Sequence, residues 1–152
     1  YRVALEQDQR WQRCHIKSTS LLGNVMHYQT GSAGGLDETI LFNKDRIVTE
    51  ASSSNVFIVK DDLVITPPLD NQILPGITRD LVIRSLANEG INVEQRHFSV
   101  ETMLQADEVW LTSSSKEIAP VIEINGSFIG DGSIGKVWEN ALVIYNRYKF
   151  TQ

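Results

Sequence analysis

Residues 39–66 read TILFNKDRIVTEASSSNVFIVKDDLVIT, and their pattern is the most informative about the fold class. Four short apolar runs are separated by polar residues, and these runs are 39–42, 47–49, 55–59 and 63–66. Polar turns at 43–46 and 60–62 join the runs in pairs. Apolar runs joined by short polar turns are typical of antiparallel strands, so the stretch predicts two β-hairpins.

Helical spacing appears on both sides of these hairpins. Apolar residues from Ile77 onward recur every three or four positions up to Gly90, a residue that commonly ends helices. Further helices are predicted from the serine and threonine caps at 18–20 to the Gly-rich loop 31–35, at 100–104 and at 134–148. Further strands are predicted at 1–5, 92–98, 109–112 and 121–124, the last turning at Asn125-Gly126. Hairpins mixed with helices predict an α+β domain, with a mixed curved sheet and flanking helices.

Composition and charge exclude several classes of function. The chain has 152 residues, which suits one domain, and its formal charge of −5 argues against a nucleic-acid partner. It contains no apolar run long enough to span a bilayer, so no membrane partner is expected. Cys14 is the single cysteine, which excludes an intrachain disulfide and a cysteine-based zinc site. A cytoplasmic location is therefore expected.

Four polar segments stand out from the hydrophobic pattern as candidates for chemistry. They are residues 10–18, 48–57, 73–80 and 111–115. In the first segment, Lys17 lies immediately before a predicted helix. It is either a solvated surface residue or a desolvated amine, which would be nucleophilic toward a carbonyl group. The spacing alone favours the solvated alternative.

The other three segments carry groups that can bind an anion. Glu50 and Asn55 bracket a run of serines between two predicted strands, and serine hydroxyl and N–H groups can face an anion. Pro75-Gly76 leads directly into a helix, whose first N–H groups lack partners within the helix. Residues 112–115 add hydroxyl groups after a strand. Each segment also has a plainer interpretation, as a serine-rich turn, an ordinary helix start and a polar strand end.

Taken in order, the segments resemble the motifs of the fold type IV, or class IV, aminotransferases. The motifs are Arg-Trp-x-Arg-Cys-x-Ile-Lys-Ser at 10–18, Val-Thr-Glu-x-Ser-Ser-Ser-Asn-Val-Phe at 48–57, Ile-Leu-x-Gly-Ile-Thr-Arg-Asp at 73–80, and matches from 107 to 123. Four motifs in one order are more specific than any one alone, and they cover nearly the whole chain. The D-amino-acid aminotransferase branch is the most similar. Leu22 favours that branch, because branched-chain aminotransferases carry a tyrosine there.

The resemblance implies a pyridoxal 5′-phosphate (PLP) cofactor and a role for each matching residue. Lys17 takes the position of the lysine that forms a Schiff base with PLP and transfers protons. Glu50 matches the carboxylate that faces the pyridine nitrogen and keeps it protonated. The implied phosphate site consists of backbone N–H groups of Ile77 and Thr78 and hydroxyls of Thr78, Ser113 and Ser114. Ser52, Ser53 and Asn55 are expected to line the site near Glu50. For Arg10 and Arg13, the sequence leaves a cofactor-side and a structural role open.

The resemblance also implies an activity and partners. It predicts transamination from an amino acid, D-alanine or another D-amino acid among the candidates, to a 2-oxo acid, within a homodimer. Residues 1–152 correspond to the C-terminal PLP-binding domain of the family, and the small N-terminal domain has no counterpart here. Three alternatives stay open: an aminodeoxychorismate lyase, which eliminates pyruvate, a branched-chain aminotransferase, and an inactive fragment.

Overall fold

The computed structural model describes residues 1–150, which form an α+β fold as predicted. Its strands are β1 (Arg2–Gln7), β2 (Glu38–Phe42), β3 (Val48–Ala51), β4 (Asn55–Lys60), β5 (Leu63–Thr66), β6 (Val93–Gln95), β7 (Glu108–Ser113), β8 (Glu117–Val121), β9 (Glu123–Ile124) and β10 (Ser127–Phe128). Its helices are α1 (Leu22–Ala33), α2 (Ile77–Asn88), α3 (Val100–Leu104) and α4 (Lys136–Tyr148). Among the described residues, no helix is both long enough and apolar enough to cross a bilayer.

The strands divide into two sheets, and each mixes parallel and antiparallel pairs. One has the order β10-β9-β1-β2-β3, with β1 parallel to both β2 and β9. The other has the order β6-β5-β4-β7-β8, with β5 and β6 as its parallel pair. The mixed sheet expected from the sequence is therefore confirmed, and β3 runs directly into β4 to connect the two sheets.

Strand β4 lies at the centre of the hydrophobic core and is buried on both faces. Val56 and Ile58 pack into a cluster that both sheets share with the α3 region. Phe57 and Val59 point the other way, into a cluster with α2 and α4. This alternation explains why the run is apolar at every position from 56 to 59: side chains on both faces of the strand leave water.

The hairpins predicted from the turn residues are confirmed. Strands β2 and β3 pair antiparallel, as do β4 and β5. Asn125 and Gly126 join the antiparallel strands β9 and β10 with φ angles of 49° and 80°. Left-handed backbone is favourable at asparagine and glycine, which is why this dipeptide is such a strong turn signal. Gly90 follows α2 with φ of 77°, as expected of a residue that ends a helix.

The strand predicted at 121–124 differs from the observed structure. The structure has β8 over Glu117–Val121 and a separate short strand at Glu123–Ile124. The sequence does not predict β8 because Pro120 interrupts its apolar pattern. β8 is an edge strand, where a missing N–H can face away from the neighbouring strand. The strand predicted at 92–98 is also shorter, spanning only Val93–Gln95.

Helix α1 extends into the segment that the sequence predicts to be a loop. The serine and threonine at 18–20 do not cap it, and its N-cap residue is Leu21. Gly31 lies inside the helix, where a Cβ atom would be only 2.6 Å from Thr39 Oγ1 and 3.1 Å from Glu38 O. This glycine therefore serves close packing of α1 on β2 and does not mark a flexible loop.

Candidate functional site

The four polar segments meet at one cavity of about 680 Å³. Strand β3 and the following serine turn form one wall, the start of α2 forms another, and the segment before α1 forms the rim. Every residue assigned to the site from the sequence lines this cavity: Lys17, Glu50, Ser52, Ser53, Asn55, Ile77, Thr78, Ser113 and Ser114. The fold thus brings together residues that are nearly 100 positions apart in the chain.

Glu50 is buried at the base of this cavity, with both carboxylate oxygens hydrogen-bonded. Its Oε1 accepts a bond from Arg10 at 2.5 Å, and its Oε2 accepts from Leu74 N at 2.9 Å and Asn55 Nδ2 at 3.4 Å. Burial raises the pKa of Glu50 to about 7, against the opposing influence of Arg10 and the Leu74 N–H. The carboxyl is thus held in one orientation and titrates close to neutral pH.

Arg10 is the partner that orients Glu50, which answers a question the sequence left open. Its guanidinium is buried and also binds Asp8 through Nε at 3.0 Å and through Nη2 at 2.8 Å. A planar guanidinium suits this arrangement because it can hold two carboxylates at fixed angles. Burial opposes the ionisation of Asp8, but the hydrogen bond and charge of Arg10 outweigh burial and lower its pKa. Arg13, in contrast, is exposed.

Asn55 joins Glu50 to the segment that precedes α2. Its Nδ2 donates to Leu74 O at 2.9 Å as well as to Glu50. Its Oδ1 lies against Gly76, where a Cβ atom would overlap it. Only glycine leaves room for this contact, so Asn55 and Gly76 together set the start of α2 against the carboxylate.

The start of α2 faces the cavity without an internal cap. Within residues 1–150, no side chain caps this helix at Gly76. Thr78 is buried, and its hydroxyl has no hydrogen-bond partner in the described part of the chain. Arg79 fixes the first turn from behind by donating to Pro67 O and Gln95 Oε1. The helix N-terminus is thereby a rigid set of donors aimed at the cavity.

Strand β7 contributes a second set of polar groups beside Asn55. Thr112 pairs with Asn55 across the sheet, is buried, and lines the cavity. Its Oγ1 has no hydrogen-bond partner among the described residues, which is unusual for a buried hydroxyl. Thr112 belongs to the hydroxyl run 112–115 singled out from the sequence, but the phosphate site predicted there contains only its neighbours Ser113 and Ser114, which are more exposed. An anion in the cavity would satisfy such a hydroxyl.

Lys17 lies on the exposed rim of the cavity, in a segment without regular secondary structure. Its ammonium has no hydrogen-bond or ion-pair partner within residues 1–150. The desolvated amine that the cofactor role requires is therefore not produced by this chain's own packing. The shared cavity with Glu50, which that role also requires, is present.

The fold and this site define the chain's family, and sequence comparison agrees. The family model "Amino-transferase class IV" matches residues 2–124. The chain belongs to this family.

Curated relatives include the D-alanine aminotransferases of Staphylococcus haemolyticus and Bacillus licheniformis. The first is 39% identical over 96% of this chain, and the second is 41% identical over 88%. The matched regions make up 51% and 47% of those relatives. The chain thus spans about half the length of the curated relatives it matches.

Solved structures with the same fold include two branched-chain aminotransferases. The enzyme of Thermoproteus uzoniensis, solved with norvaline, is 32% identical and superposes with a TM-score of 0.85. The match covers 96% of this chain and 50% of the T. uzoniensis chain. The enzyme of Thermobaculum terrenum, solved in its PLP form, is 26% identical with a TM-score of 0.84, covering 97% and 50%.

Proposed function

We propose that this chain provides the PLP-binding part of an aminotransferase, which moves an amino group from an amino acid to a 2-oxo acid. One observation carries the proposal: a single cavity contains the unpaired amine of Lys17, the buried carboxylate of Glu50 and the uncapped start of α2. The PLP form of the T. terrenum relative supports the choice of cofactor. The residues 1–152 would then act as a cofactor-binding domain that a further domain completes.

The polar groups of the cavity fit the two ends of PLP. The phosphate would be held by N–H groups at Ile77 and Thr78, by the hydroxyl of Thr78, by the unpaired hydroxyl of Thr112, and by the Ser113 and Ser114 region. The orphan hydroxyl of Thr112 is the specific sign that an acceptor belongs here. The ring nitrogen would lie against Glu50, whose carboxylate favours a protonated ring.

Each catalytic group has a task that its surroundings allow. PLP, when bound, supplies an aldehyde carbon for an amine and a ring that takes up carbanion electrons. Lys17, free of other partners, would hold the cofactor and carry a proton to and from the substrate carbon. Arg10 fixes the orientation of the Glu50 carboxylate, which would face the ring nitrogen, and Arg10 itself would not need to touch substrate.

We infer a D-amino acid, with D-alanine first to be tested, as the amino donor. The curated relatives in support are D-alanine aminotransferases at 39% and 41% identity, against 32% and 26% for the two branched-chain structures. Leu22 at the tyrosine position of branched-chain enzymes points the same way.

We also propose a homodimer located in the cytoplasm. An apolar face of α1 next to the cavity supports an additional covering surface: Leu22 is 73% exposed and Met26 63% exposed. Leu21, Val25 and Tyr28 extend this face and line the cavity. Covering it would also remove water from around Lys17. The single cysteine, Cys14, agrees with a reducing compartment.

Product analysis tests the proposed reaction in the protein that carries this chain, at saturating PLP. We expect repeated turnover, with more than one pyruvate per chain formed from D-alanine, only when a 2-oxo acid acceptor is present, and one amino acid formed per pyruvate. Lys17→Ala should abolish the reaction, whereas Arg13→Ala, a change at an exposed position, should leave it intact. Repeated release of pyruvate from aminodeoxychorismate without an acceptor would indicate a lyase, and activity retained in Lys17→Ala would refute the assignment.

A further inference from the structure

A second buried carboxylate, Glu38, lies behind the serine turn that lines the cavity. Glu38 begins β2 and is 0% exposed. Its carboxylate accepts hydrogen bonds from Ser52 Oγ, from Ser53 Oγ at 2.6 Å and from Ser54 Oγ at 3.3 Å. It also accepts from Thr39 N at 2.9 Å. The one carboxylate of Glu38 therefore accepts hydrogen bonds from all three hydroxyls of the turn.

The cation that pairs with Glu38 comes from the other serine-rich segment. Lys116 Nζ lies 3.1 Å from Glu38 Oε2 and 3.1 Å from Ser53 Oγ. The Lys116 side chain is only 16% exposed. Its backbone N–H donates to Ser113 Oγ at 3.1 Å, so the same residue orders the connection between β7 and β8. Ser113, the last residue of β7, and Ser114, the first residue of that connection, both line the cavity.

This arrangement changes the role of the serines that the sequence assigned to the cofactor. A hydroxyl has one proton to donate, and the protons of Ser52 and Ser53 are directed at Glu38. These hydroxyls are therefore not free to donate to a phosphate. The serines serve instead to tie their turn to the carboxylate.

Electrostatics favour an ionised Glu38 at neutral pH. Burial opposes its ionisation, but the hydrogen bonds of Ser52 and Ser53 and the charge of Lys116 outweigh burial and lower its pKa. An ionised carboxylate strengthens each serine bond, because charge-assisted hydrogen bonds are about twice as strong as neutral ones.

We propose that Glu38 and Lys116 are positioning residues, whose ion pair locks the 52–54 turn and the 113–116 connection together. This Glu38–Lys116 latch preorganises the cavity wall that receives the cofactor's phosphate, and the inference rests on the proposed function. Loops held in place before binding need not be ordered by the ligand, so the latch raises affinity without touching the cofactor.

A comparison of PLP with pyridoxal, which lacks the phosphate, tests the latch. In the protein that carries this chain, Glu38→Gln and Lys116→Met should each weaken PLP binding at least tenfold in an absorbance titration. Pyridoxal affinity should change less than threefold, because it makes no use of the phosphate wall. Lys116→Arg, which keeps the charge, should stay within threefold of the parent for both ligands.

The matched control removes an ion pair far from the cavity. Glu101→Gln loses the exposed pair with Arg46 and should leave both affinities unchanged. Equal weakening of PLP and pyridoxal in Glu38→Gln and Lys116→Met would reduce the pair to a general stabilising role and overturn the proposal. Unchanged binding of both ligands in those variants would overturn it as well.

Hydrogen exchange separates failure of the latch from failure of the proposed function. Without any cofactor, amides of 53–54 and 113–116 should exchange at least tenfold faster in Glu38→Gln than in the parent, and those of β4 should not. If the parent binds no PLP but exchange is still faster in Glu38→Gln than in the parent, the proposed function fails and the locking of the two segments stands. If the parent prefers PLP over pyridoxal and Glu38→Gln keeps that preference, only the latch fails.

Discussion

Two parts of the cavity differ in how they are held in place. The carboxylate wall is the β3 segment that carries Glu50, and the amine wall is the segment at the rim that carries Lys17. Glu50 lies within strand β3, is buried, and has both oxygens hydrogen-bonded to Arg10, Leu74 and Asn55. Lys17 lies in an irregular segment, is exposed and has no partner among the described residues. This chain therefore preorganises the carboxylate half of the site and leaves the amine half open.

The local fold explains this difference. The carboxylate wall is part of a sheet, whose ladder fixes the backbone on either side of Glu50. The amine wall is tied down by a few contacts, among them Cys14 N to Asn71 O at 2.8 Å and Asn71 Nδ2 to Gln12 O at 3.0 Å. A residue held at the rim can change partners, which a lysine that alternates between cofactor and proton transfer must do.

Removal of Arg10 should break the carboxylate wall and have the largest effect. Arg10→Ala leaves Glu50 and Asp8 buried without their shared cation, and loss of one partner of a buried pair costs about 3–5 kcal/mol. Urea unfolding at pH 7 measures this loss. The matched control is Arg13→Ala, at an exposed position, which should cost less than about 0.5 kcal/mol. Similar costs for the two variants would contradict the structural account of Arg10.

Titration of Glu50 should give the next largest effect. The pKa near 7 means that the folded chain keeps a proton that the unfolded chain releases at about 4.5, so stability falls as pH rises between these values. The shift corresponds to about 3 kcal/mol. Urea unfolding from pH 4.5 to 8 should show this fall in the parent. Glu50→Gln should lack it, and the same pH profile in both proteins would disprove the raised pKa.

Gly76 offers a smaller test of how the carboxylate wall is packed. Gly76→Ala places a methyl group on Asn55 Oδ1, which hydrogen bonds hold in place, and such overpacking costs about 1–3 kcal/mol. Gly34→Ala is the control, because the nearest atom to its added Cβ would be 3.4 Å away. Thermal unfolding of both variants measures the two losses of stability. An unchanged stability in Gly76→Ala would show that the Asn55 side chain moves aside freely.

The amine wall should show the smallest effect on stability. Lys17→Ala removes an exposed side chain without partners, so the free energy of unfolding should change by less than about 0.5 kcal/mol. Urea unfolding of the cofactor-free chain measures it. A loss above about 1.5 kcal/mol would exceed the net contribution of a typical hydrogen bond. It would mean that Lys17 makes stabilising contacts in the cofactor-free chain.

The sequence predicted which residues line the cavity better than it predicted the hydrogen bonds and ion pairs that hold them. Local turn and cap patterns identified the hairpins and the start of α2, and motif order identified Lys17 and Glu50. The role of Arg10 depends on a contact with a residue 40 positions away, which no local pattern encodes. Glu38 resembles an ordinary acidic residue at a strand start, because its partner Lys116 lies 78 positions away.

Solvent exposure was the other property that local sequence patterns could not predict. Leu22, Val25 and Met26 have the spacing of a packed helix face, and the helix exists, yet this face is open to solvent. Helical spacing reports which residues share a face and not whether another surface covers it. The same holds for Lys17, whose burial would depend on a surface outside the described residues.

Borohydride trapping tests most directly whether Lys17 and Glu50 form one cofactor site. The protein that carries this chain is saturated with PLP, reduced with borohydride, digested, and the labelled peptide is sequenced. We predict one label per chain at saturating PLP, on Lys17. In a parallel sample at limiting PLP, Glu50→Arg should lose labelling tenfold or more, because a cation there opposes ring protonation and a guanidinium adds no amine that borohydride could trap. Label on another lysine, or equal labelling of Glu50→Arg, would contradict this assignment.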